Sequence, residues 1–292
     1  MTTICLNGRL VSEAEATVSV FDHGLLYGDG VFEGIRYYNN RVFKLDEHMR
    51  RLWDSAGAIM LDIDQVISRE GYAQKLLEAC ARRGEPDGYI RAVITRGPGD
   101  LGLSPTKCPK PHYFIIVGGI QLYPAEKYEH GLKVITCATR RNSPTALDPG
   151  IKSLNYLNNI LAKIEVNRTG ADEGLMLNQA GNVAEATGDN IFVVRDGVLS
   201  TPPKAAGILE GVTRQTVIDL ALRAGISVRE EDMTLRSVYA ADECFLTGTA
   251  AEVIPVREVD DRKIGNGEPG PLTLKLIGLF KELVRNDGTP FA

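Results

Sequence analysis

Residues 151–159 read Ile-Lys-Ser-Leu-Asn-Tyr-Leu-Asn-Asn and follow a turn signal, Asp148-Pro149-Gly150. Apolar side chains then recur at spacings of three and four, which predicts an amphipathic helix; they are Leu154, Leu157, Ile160, Leu161 and Ile164. Ser153 is a suitable N-cap, so Lys152 would stand at the helix N-terminus, where the helix dipole disfavours an added cation. A lysine that loses its proton readily can act as a nucleophile, although most lysines are simply solvated. Lys152 is therefore the first candidate catalytic residue.

Length and charge limit the classes of protein to which this chain can belong. Its 292 residues suffice for two domains or one large α/β domain, and 43% hydrophobic with 24% charged residues is ordinary for a soluble globular protein. The net charge of −5 and the lack of a basic patch argue against nucleic-acid binding. No apolar run is long enough to span a bilayer and the first residues form no apolar signal segment, so we expect no membrane insertion and no signal peptide.

Cysteine and histidine spacing favours neither a disulfide framework nor a metal site. The five cysteines are an odd number and none forms a CxxC pair, which fits a reducing, cytoplasmic setting. The four histidines show no HExxH pattern, so we expect no metal ion. No GxGxxG or GxxxxGK[ST] motif supports nucleotide binding by those routes.

The order of apolar and turn-forming stretches predicts an α+β fold, because strands and helices mix without the strict alternation of a doubly wound sheet. The early elements are expected to be strands at 3–6 and 16–20, a hairpin of 30–38 with 41–44, and helices starting at Asp46 and Asp64. Residues 118–130 have no clean period and are expected to form an interdomain loop. This loop would separate a small N-terminal domain, residues 1–117, from a larger C-terminal domain, residues 131–292.

Three stretches have features of an anion-binding site. Gly211-Val212-Thr213 opens a predicted helix, so the free amides of Val212 and Thr213 would suit a phosphate. Thr247-Gly248-Thr249-Ala250 ends a predicted strand, where the glycine permits close backbone approach and Thr249 offers a hydroxyl. Arg51 lies on the helix that starts at Asp46 and could bind an anion through two nitrogens. Each stretch alone also has an ordinary explanation as a cap, a turn or a solvated residue.

A phosphate site combined with a nucleophilic lysine suggests pyridoxal phosphate, whose phosphate anchors it and whose aldehyde bonds to a lysine. This cofactor also requires an acid that keeps its ring nitrogen protonated. Glu185, at the end of a predicted strand and between apolar neighbours, is the natural candidate.

These motifs resemble those of the fold-type IV pyridoxal-phosphate-dependent aminotransferases (class IV), chiefly the branched-chain amino acid aminotransferases. The resemblance runs from about Leu6 to Leu283, with the motifs in the family's order. The motifs are residues 27–36 (Tyr-Gly-Asp-Gly-Val-Phe-Glu-Gly-Ile-Arg), 47–52, 89–91, 152–156, Glu185 followed by 190–192, 211–214 and 247–252. The resemblance implies a two-domain fold like that of D-amino acid aminotransferase, with a small α/β N-terminal domain. The larger C-terminal domain would contain a mixed, barrel-like sheet with helices.

The resemblance also implies roles for individual residues. Lys152 would bind the cofactor covalently and then act as the base that moves the substrate proton. Tyr156 would hydrogen-bond the ring hydroxyl, and Glu185 would pair with the ring nitrogen. The phosphate ligands would be Arg51, Val212, Thr213 and Thr249, and the substrate pocket would be lined by Tyr27, Phe32, Arg91, Tyr123 and Ala250, with Gly99–Leu103 closing over it. The family forms homodimers, some of which assemble into hexamers, and its substrates are small amino and 2-oxo acids.

The leading interpretation is exchange of the amino group between branched-chain L-amino acids (Leu, Ile, Val) and 2-oxoglutarate. Phe32–Arg36 and Gly99–Leu103 look like the branched-chain type, and the Arg-x-His carboxylate trap of the D-specific branch is missing from residues 96–110. Ala186 stands where the family often has glycine, and the run at 152–159 also occurs in the D-specific branch. A D-amino acid or (R)-amine transaminase, an aminodeoxychorismate lyase and a non-catalytic binding protein of the same fold remain alternatives. Intact Lys152 and Glu185 argue against the last of these.

Overall fold

Two sheets, each with its own hydrophobic core, carry the fold. The computed structural model describes residues 2–291. The chain divides into a first unit, Met1–Ile120 with Ile151–Asn155 and Val284–Ala292, and a second unit, Gln121–Gly150 with Tyr156–Leu283. Strands and helices mix in both, which confirms the predicted α+β class.

The helices and strands follow one another in a simple order. The first part of the chain contains β1 (Thr3–Leu6), β2 (Arg9–Val11), α1 (His23–Tyr27), β3 (Gly30–Tyr38), β4 (Arg41–Val42), α2 (Leu45–Ala58), α3 (Arg69–Arg83), β5 (Gly88–Thr95) and β6 (His112–Gly118). The remainder contains α4 (Ala125–His130), β7 (Leu132–Thr136), α5 (Leu157–Thr169), β8 (Glu173–Leu177), β9 (Val183–Ala186), β10 (Asn190–Arg195), β11 (Val198–Thr201), α6 (Val212–Arg223), β12 (Val228–Glu230), α7 (Leu235–Tyr239), β13 (Glu243–Gly248), β14 (Glu252–Val259), β15 (Arg262–Lys263), α8 (Pro271–Asn286) and β16 (Thr289–Pro290). Among residues 2–291, no helix is long and apolar enough to cross a membrane.

The sheet of the first unit is antiparallel, in the order β16-β4-β3-β5-β6-β1-β2. Successive side chains of a strand point to opposite faces. On β5, Ile90, Ala92 and Ile94 enter the core together with Leu52 of α2 and Leu76 of α3. The other face of β5 therefore carries Arg91, which places this arginine outside the core.

Two predictions about local structure in the first unit are wrong. Residues 16–20 form no strand; Val18 and Val20 are exposed, and the turn at Asn7–Gly8 leads directly into β2. The second long helix begins at Arg69 rather than Asp64, because the Ser68 side chain accepts from Gly71 N and caps it there.

The sheet of the second unit is mixed, in the order β12-β11-β10-β13-β14-β7-β8-β9, with β15 beside β14. Its core includes Leu175 of β8, Ile191 of β10 and Ile254 of β14. On the opposite side of β10 and β13, Phe192 stacks on Phe245 with ring centroids 5.0 Å apart.

The observed units differ from the predicted domain limits at three places. Residues 118–120 belong to the first unit, and α4 forms part of the stretch expected to be a loop. Residues 151–155 return to the first unit because they hydrogen-bond to β3, and residues 284–291 return because β16 pairs with β4. Such returns are pairings between distant segments, which local periodicity does not record.

Candidate active site

Lys152 lies in an extended segment at the edge of the first sheet, and its predicted position at a helix N-terminus is wrong. The helix begins at Leu157, with Tyr156 as N-cap. Phe32 N donates to Lys152 O (3.0 Å), and Lys152 N donates to Ser55 Oγ of α2 (3.1 Å). β4 pairs only with the far end of β3, which leaves the edge near Phe32 available to this segment. Backbone pairing to β3, rather than a helix dipole, positions Lys152.

The outer face of the first sheet brings Lys152 and Arg91 to one aromatic ring. Lys152 Nζ lies 4.5 Å from the Phe32 ring centroid, and the Arg91 guanidinium carbon lies 4.7 Å from the same centroid. A cation over an aromatic face is stabilised by about 0.5–2 kcal/mol. The structure thus brings together three residues for which the sequence predicts roles: Lys152 as a nucleophile, Arg91 as a carboxylate-binding cation and Phe32 as an apolar wall.

Tyr89 belongs to the same face but was missed by the sequence analysis. The Arg91 guanidinium carbon lies 5.6 Å from the Tyr89 ring centroid. The tyrosine side chain crosses over Gly34, where an added Cβ would lie 2.1 Å from Tyr89 Oη. The available signal was positional, because Tyr89 and Arg91 are two residues apart on one strand and therefore share a face.

Tyr27 is placed against the loop that was predicted to close over the pocket. Its hydroxyl donates to Leu101 O at 2.5 Å, and buried His23 donates from Nε2 to Asp100 O at 2.8 Å. The rings of His23 and Tyr27 meet edge to face, with centroids 5.0 Å apart. The residues 99–103 are therefore attached to α1 through two carbonyl groups.

Arg51 is held by a buried carboxylate on β3, Glu33. Arg51 Nε donates to Glu33 Oε1 at 2.6 Å and Nη2 donates to Oε2 at 2.8 Å, while His48 Nδ1 donates to Oε2 at 2.9 Å. Burial raises the pKa of Glu33, but the charges and hydrogen bonds of Arg51 and His48 outweigh it and hold the pKa below its ordinary value. Burial lowers the pKa of His48 despite Glu33, and the charges of Arg51 and Lys152 lower it further. The cluster is thus an arginine–glutamate pair oriented by a neutral imidazole.

Glu33 was not recognised in the sequence, although a signal existed. It is the one carboxylate in the strand Gly30–Tyr38, where its same-face neighbours Val31, Ile35 and Tyr37 are all fully buried. A charged residue at a core-facing position requires a partner. Because Arg51 lies far from Glu33 in the sequence, the local pattern did not reveal it as that partner.

In the second unit, Glu185 is a buried carboxylate with both oxygens bound. Oε1 accepts from Arg141 Nε at 2.7 Å, and Oε2 accepts from Asn190 Nδ2 at 3.1 Å and from Leu209 N at 3.0 Å. Arg141 is 5% exposed and Glu185 4% exposed. Arg141 was missed by the sequence analysis, and nothing in its local pattern distinguishes it from the exposed Arg140 beside it.

The predicted phosphate-binding segments of the second unit have the features expected of an anion site. α6 starts at Val212 after Gly211, which offers no side-chain cap to the free amides of Val212 and buried Thr213. Gly211 fits closely, because a Cβ there would lie 2.1 Å from Asn190 Oδ1. Thr247 Oγ1 at the end of β13 is buried and has no hydrogen-bond partner within residues 2–291. Uncapped helix amides and an unpartnered buried hydroxyl fit a phosphate group.

The remaining predicted residues occupy loops and caps of the second unit. Thr249 and Ala250 lie in the turn between β13 and β14, and Tyr156 occupies the N-cap position of α5. The Tyr123 hydroxyl donates to Glu173 Oε2 at 3.2 Å. Burial, followed by the Glu173 charge, raises the pKa of Tyr123, so this residue stays neutral.

This chain is similar to known aminotransferases. The family model described as amino-transferase class IV matches residues 30–259. A protein of Methanocaldococcus jannaschii, provisionally named as a branched-chain-amino-acid aminotransferase, is 51% identical over 280 residues, which are 96% of each chain. The crystal structure of the Escherichia coli branched-chain amino acid aminotransferase has a TM-score of 0.93 at 36% identity and covers 97% of this chain and 94% of that one.

A second set of solved structures comes from the T.th. branched-chain amino acid aminotransferase. Its structure with pyridoxamine 5'-phosphate has a TM-score of 0.93 at 37% identity. Its complex with N-(5'-phosphopyridoxyl)-L-glutamate has a TM-score of 0.90 at 36% identity. Both cover 97% of this chain and 94% of the other.

Proposed function

Because this chain belongs to the class IV aminotransferases, we propose that it moves the amino group between branched-chain L-amino acids and 2-oxoglutarate. It is a branched-chain-amino-acid aminotransferase that depends on pyridoxal phosphate. Relatives of that name match it over nearly their whole length, and one of them was solved with pyridoxamine 5'-phosphate. The acidic co-substrate is supported by the glutamate conjugate bound in the T.th. relative.

One observation carries the assignment of roles: Lys152 Nζ and the Arg91 guanidinium both lie within 4.7 Å of the Phe32 ring centroid. The lysine supplies an amine that can exchange a proton, and the arginine supplies a charge for a carboxylate. The ring between them offers an apolar surface for an aliphatic side chain. A transaminase that accepts both leucine and glutamate needs these three properties in one pocket.

Bound pyridoxal phosphate supplies an electron sink that stabilises negative charge at the substrate Cα. Lys152 would hold the cofactor through its Nζ, and the same amine would take and return the substrate Cα proton. Glu185 would face the ring nitrogen, and Tyr156 would hydrogen-bond the ring hydroxyl. Arg51, the amides of Val212 and Thr213, and Thr249 would hold the phosphate.

The side chains proposed for substrate binding divide the work by chemistry. Phe32 contacts the aliphatic side chain, while Arg91 binds the γ-carboxylate of glutamate or 2-oxoglutarate. We assign Tyr27, Tyr123 and Ala250 to substrate binding as well, as the sequence motifs predict. Residues 99–103, which are hydrogen-bonded to Tyr27 and His23, would close over the substrate.

A homodimer or larger homo-oligomer is supported by the outward face of α5. The predicted apolar stripe does not enter the core, since Asn159, Ala162 and Val166 are the buried residues of the helix. The exposed stripe comprises Leu157 (65% exposed), Ile160 (52%), Leu161 (47%) and Ile164 (41%). A contiguous apolar face of this kind is typical of a protein interface, and light scattering of the purified enzyme tests it.

Five free thiols fit a cytoplasmic location.

The test of the proposed function is a panel of half-reactions with L-leucine, L-glutamate, D-alanine and (R)-1-phenylethylamine. L-leucine and L-glutamate should react, and a preference for D-alanine or the (R)-amine would contradict the assignment. Lys152→Ala should bind cofactor but show no transamination, whereas the exposed control Lys275→Ala should behave as wild type. Borohydride reduction followed by peptide mapping should place the cofactor on Lys152.

A further inference from the structure

The most fully buried ion pair of the second unit joins Arg141 to Glu185. Their exposed fractions are 5% and 4%, and Arg141 Nε lies 2.7 Å from Glu185 Oε1. Burying two charges costs several kcal/mol per ion unless the geometry is good and the remaining donors and acceptors are satisfied. The contacts around Arg141 show how this pair meets that condition.

Two neighbouring asparagines at the start of α5 hold the arginine. Arg141 Nη1 lies 3.2 Å from Asn158 Oδ1 and 3.4 Å from Asn159 Oδ1. These are the last two residues of the sequence run 151–159, and the proposed mechanism gives neither of them a role. Their position in the first turn of α5 aims both side chains at one guanidinium.

The orientation of both amides is determined by their other hydrogen bonds. Asn158 Nδ2 donates to Arg140 O at 2.8 Å, and Asn159 Nδ2 donates to Thr187 O at 2.8 Å. A carbonyl can only accept, so each amide must turn its NH₂ group to that carbonyl and its oxygen to Arg141. Both asparagines can therefore act only as acceptors towards the arginine.

The backbone of Arg141 is fixed as well. Arg141 N donates to Leu177 O at 2.9 Å, and Gln179 Nε2 donates to Arg141 O at 3.3 Å. With its main chain and Nη1 both bound, the side chain has one orientation, in which Nε meets Glu185. Asn190 and Leu209 N bind the other carboxylate oxygen, so the plane of the Glu185 carboxylate is set from both sides.

We propose that Arg141, locked by Asn158 and Asn159, is a positioning residue that orients Glu185 and keeps it ionised. The inference rests on the proposed role of Glu185 at the cofactor ring nitrogen. An opposite charge at hydrogen-bond distance favours the ionised carboxylate, whereas burial without that charge favours the protonated acid. A protonated Glu185 could not stabilise a positive ring nitrogen, so loss of Arg141 should resemble loss of the Glu185 charge.

Four variants separate the possible outcomes. They are Arg141→Met, Arg141→Lys, Glu185→Gln and the double variant that combines Arg141→Met with Glu185→Gln. Arg140→Met is the matched control, because Arg140 is the exposed chain neighbour. For each purified holoenzyme, the measurements are the leucine half-reaction rate from pH 6 to 9, the absorbance spectrum of bound cofactor, cofactor Kd and Tm.

Arg141→Met should lower the half-reaction rate by about tenfold to a hundredfold, the range for partners that orient a ligand without touching the reacting atoms. Its deficit should shrink as pH rises, because Glu185 then ionises without help, while the deficit of Glu185→Gln should not change with pH. In the Glu185→Gln background, Arg141→Met should add less than about threefold, because the two residues act as one unit. Arg141→Lys keeps the charge but lacks the planar guanidinium with its several N–H donors, so its rate should lie between wild type and Arg141→Met.

Wild-type rates and spectra for Arg141→Met alongside an impaired Glu185→Gln would overturn the inference and leave the proposed function intact. An unimpaired Glu185→Gln would overturn both. Additive losses of half-reaction rate in the double variant, or a rate deficit of Arg141→Met that is constant with pH, would show that Arg141 has only a structural role. If Arg141→Met does not accumulate as a folded enzyme, Arg141→Gln, which also lacks the charge, takes its place in the same measurements and decides in the same way.

Discussion

Replacing Glu33 by glutamine tests whether the cluster of Glu33, His48 and Arg51 positions Arg51 for phosphate binding. Glutamine preserves the volume but removes the charge that faces Arg51 at 2.6 and 2.8 Å. The amide oxygen can still accept from Arg51, but the amide NH₂ cannot. His48 is neutral, so it can change tautomer and accept from that NH₂.

The expected magnitude follows from these contacts. The substitution loses one hydrogen bond between charged groups, worth about 1.5–3 kcal/mol. Glu33→Ala removes the whole partner of a buried charge, which costs about 3–5 kcal/mol. For a chain of this size, a loss of about 2 kcal/mol lowers Tm by roughly 4–8 °C. Because Arg51 also loses its fixed orientation, we expect the Kd of pyridoxal phosphate to rise about tenfold, equivalent to about 1.4 kcal/mol.

The pH dependence gives a second, independent readout. The pKa of Glu33 is lowered in the folded protein, because Arg51 and His48 outweigh burial. The stability that this carboxylate contributes is therefore fully present above its unfolded pKa of about 4.3 and is lost as pH falls through the folded pKa. The difference in Tm between wild type and Glu33→Gln should be constant between about pH 5 and 7 and should narrow at lower pH.

Calorimetric Tm values and cofactor titrations at each pH are sufficient, with Glu47→Gln as control on the exposed side of α2. The control should change the free energy of unfolding by less than about 0.5 kcal/mol, so its Tm should stay near that of wild type. An unchanged Tm and Kd in Glu33→Gln, or a Tm difference that widens on acidification, would refute the reasoning.

Three further predictions concern other parts of the molecule. Arg91→Met should raise KM for glutamate and 2-oxoglutarate, lowering their kcat/KM by about tenfold to a hundredfold while leucine changes little; equal losses for both substrates would contradict the acidic subsite. Gly34→Ala should displace Tyr89, whose hydroxyl would lie 2.1 Å from the new Cβ, so steady-state kinetics should change while Tm stays near wild type, and unchanged kinetics would contradict it. Glu243→Ala should lower stability by about 1–3 kcal/mol in denaturant unfolding, because the buried carboxylate accepts from Thr273 N and Oγ1 at 2.6 Å and caps α8; an unchanged unfolding midpoint would show that the cap is dispensable.

Local patterns in the sequence were sufficient for the hairpin of β3 and β4 and for the strand β5. Alternation along β5 correctly separated Arg91 from the core residues Ile90 and Ile94, because the period of a strand depends only on the backbone. The motifs also identified the cofactor, since a lysine, a buried acid and phosphate-binding amides are chemical requirements that residue types can reveal.

The tertiary structure alone decided where the Lys152 segment lies and which groups hold the charged residues. Ser153 did not become an N-cap, because the edge of β3 offers backbone partners that a local helix signal does not record. The partners Arg51 of Glu33 and Arg141 of Glu185 lie 18 and 44 positions away in the chain.

The apolar stripe of α5 shows the physical limit most clearly. Its spacing correctly grouped Leu157, Ile160, Leu161 and Ile164 on one helical face. Periodicity specifies which side chains share a face, but not whether the chain itself covers that face. In this protein the core takes the opposite side, through Ala162 and Val166, because that is the side on which α5 packs against the second sheet.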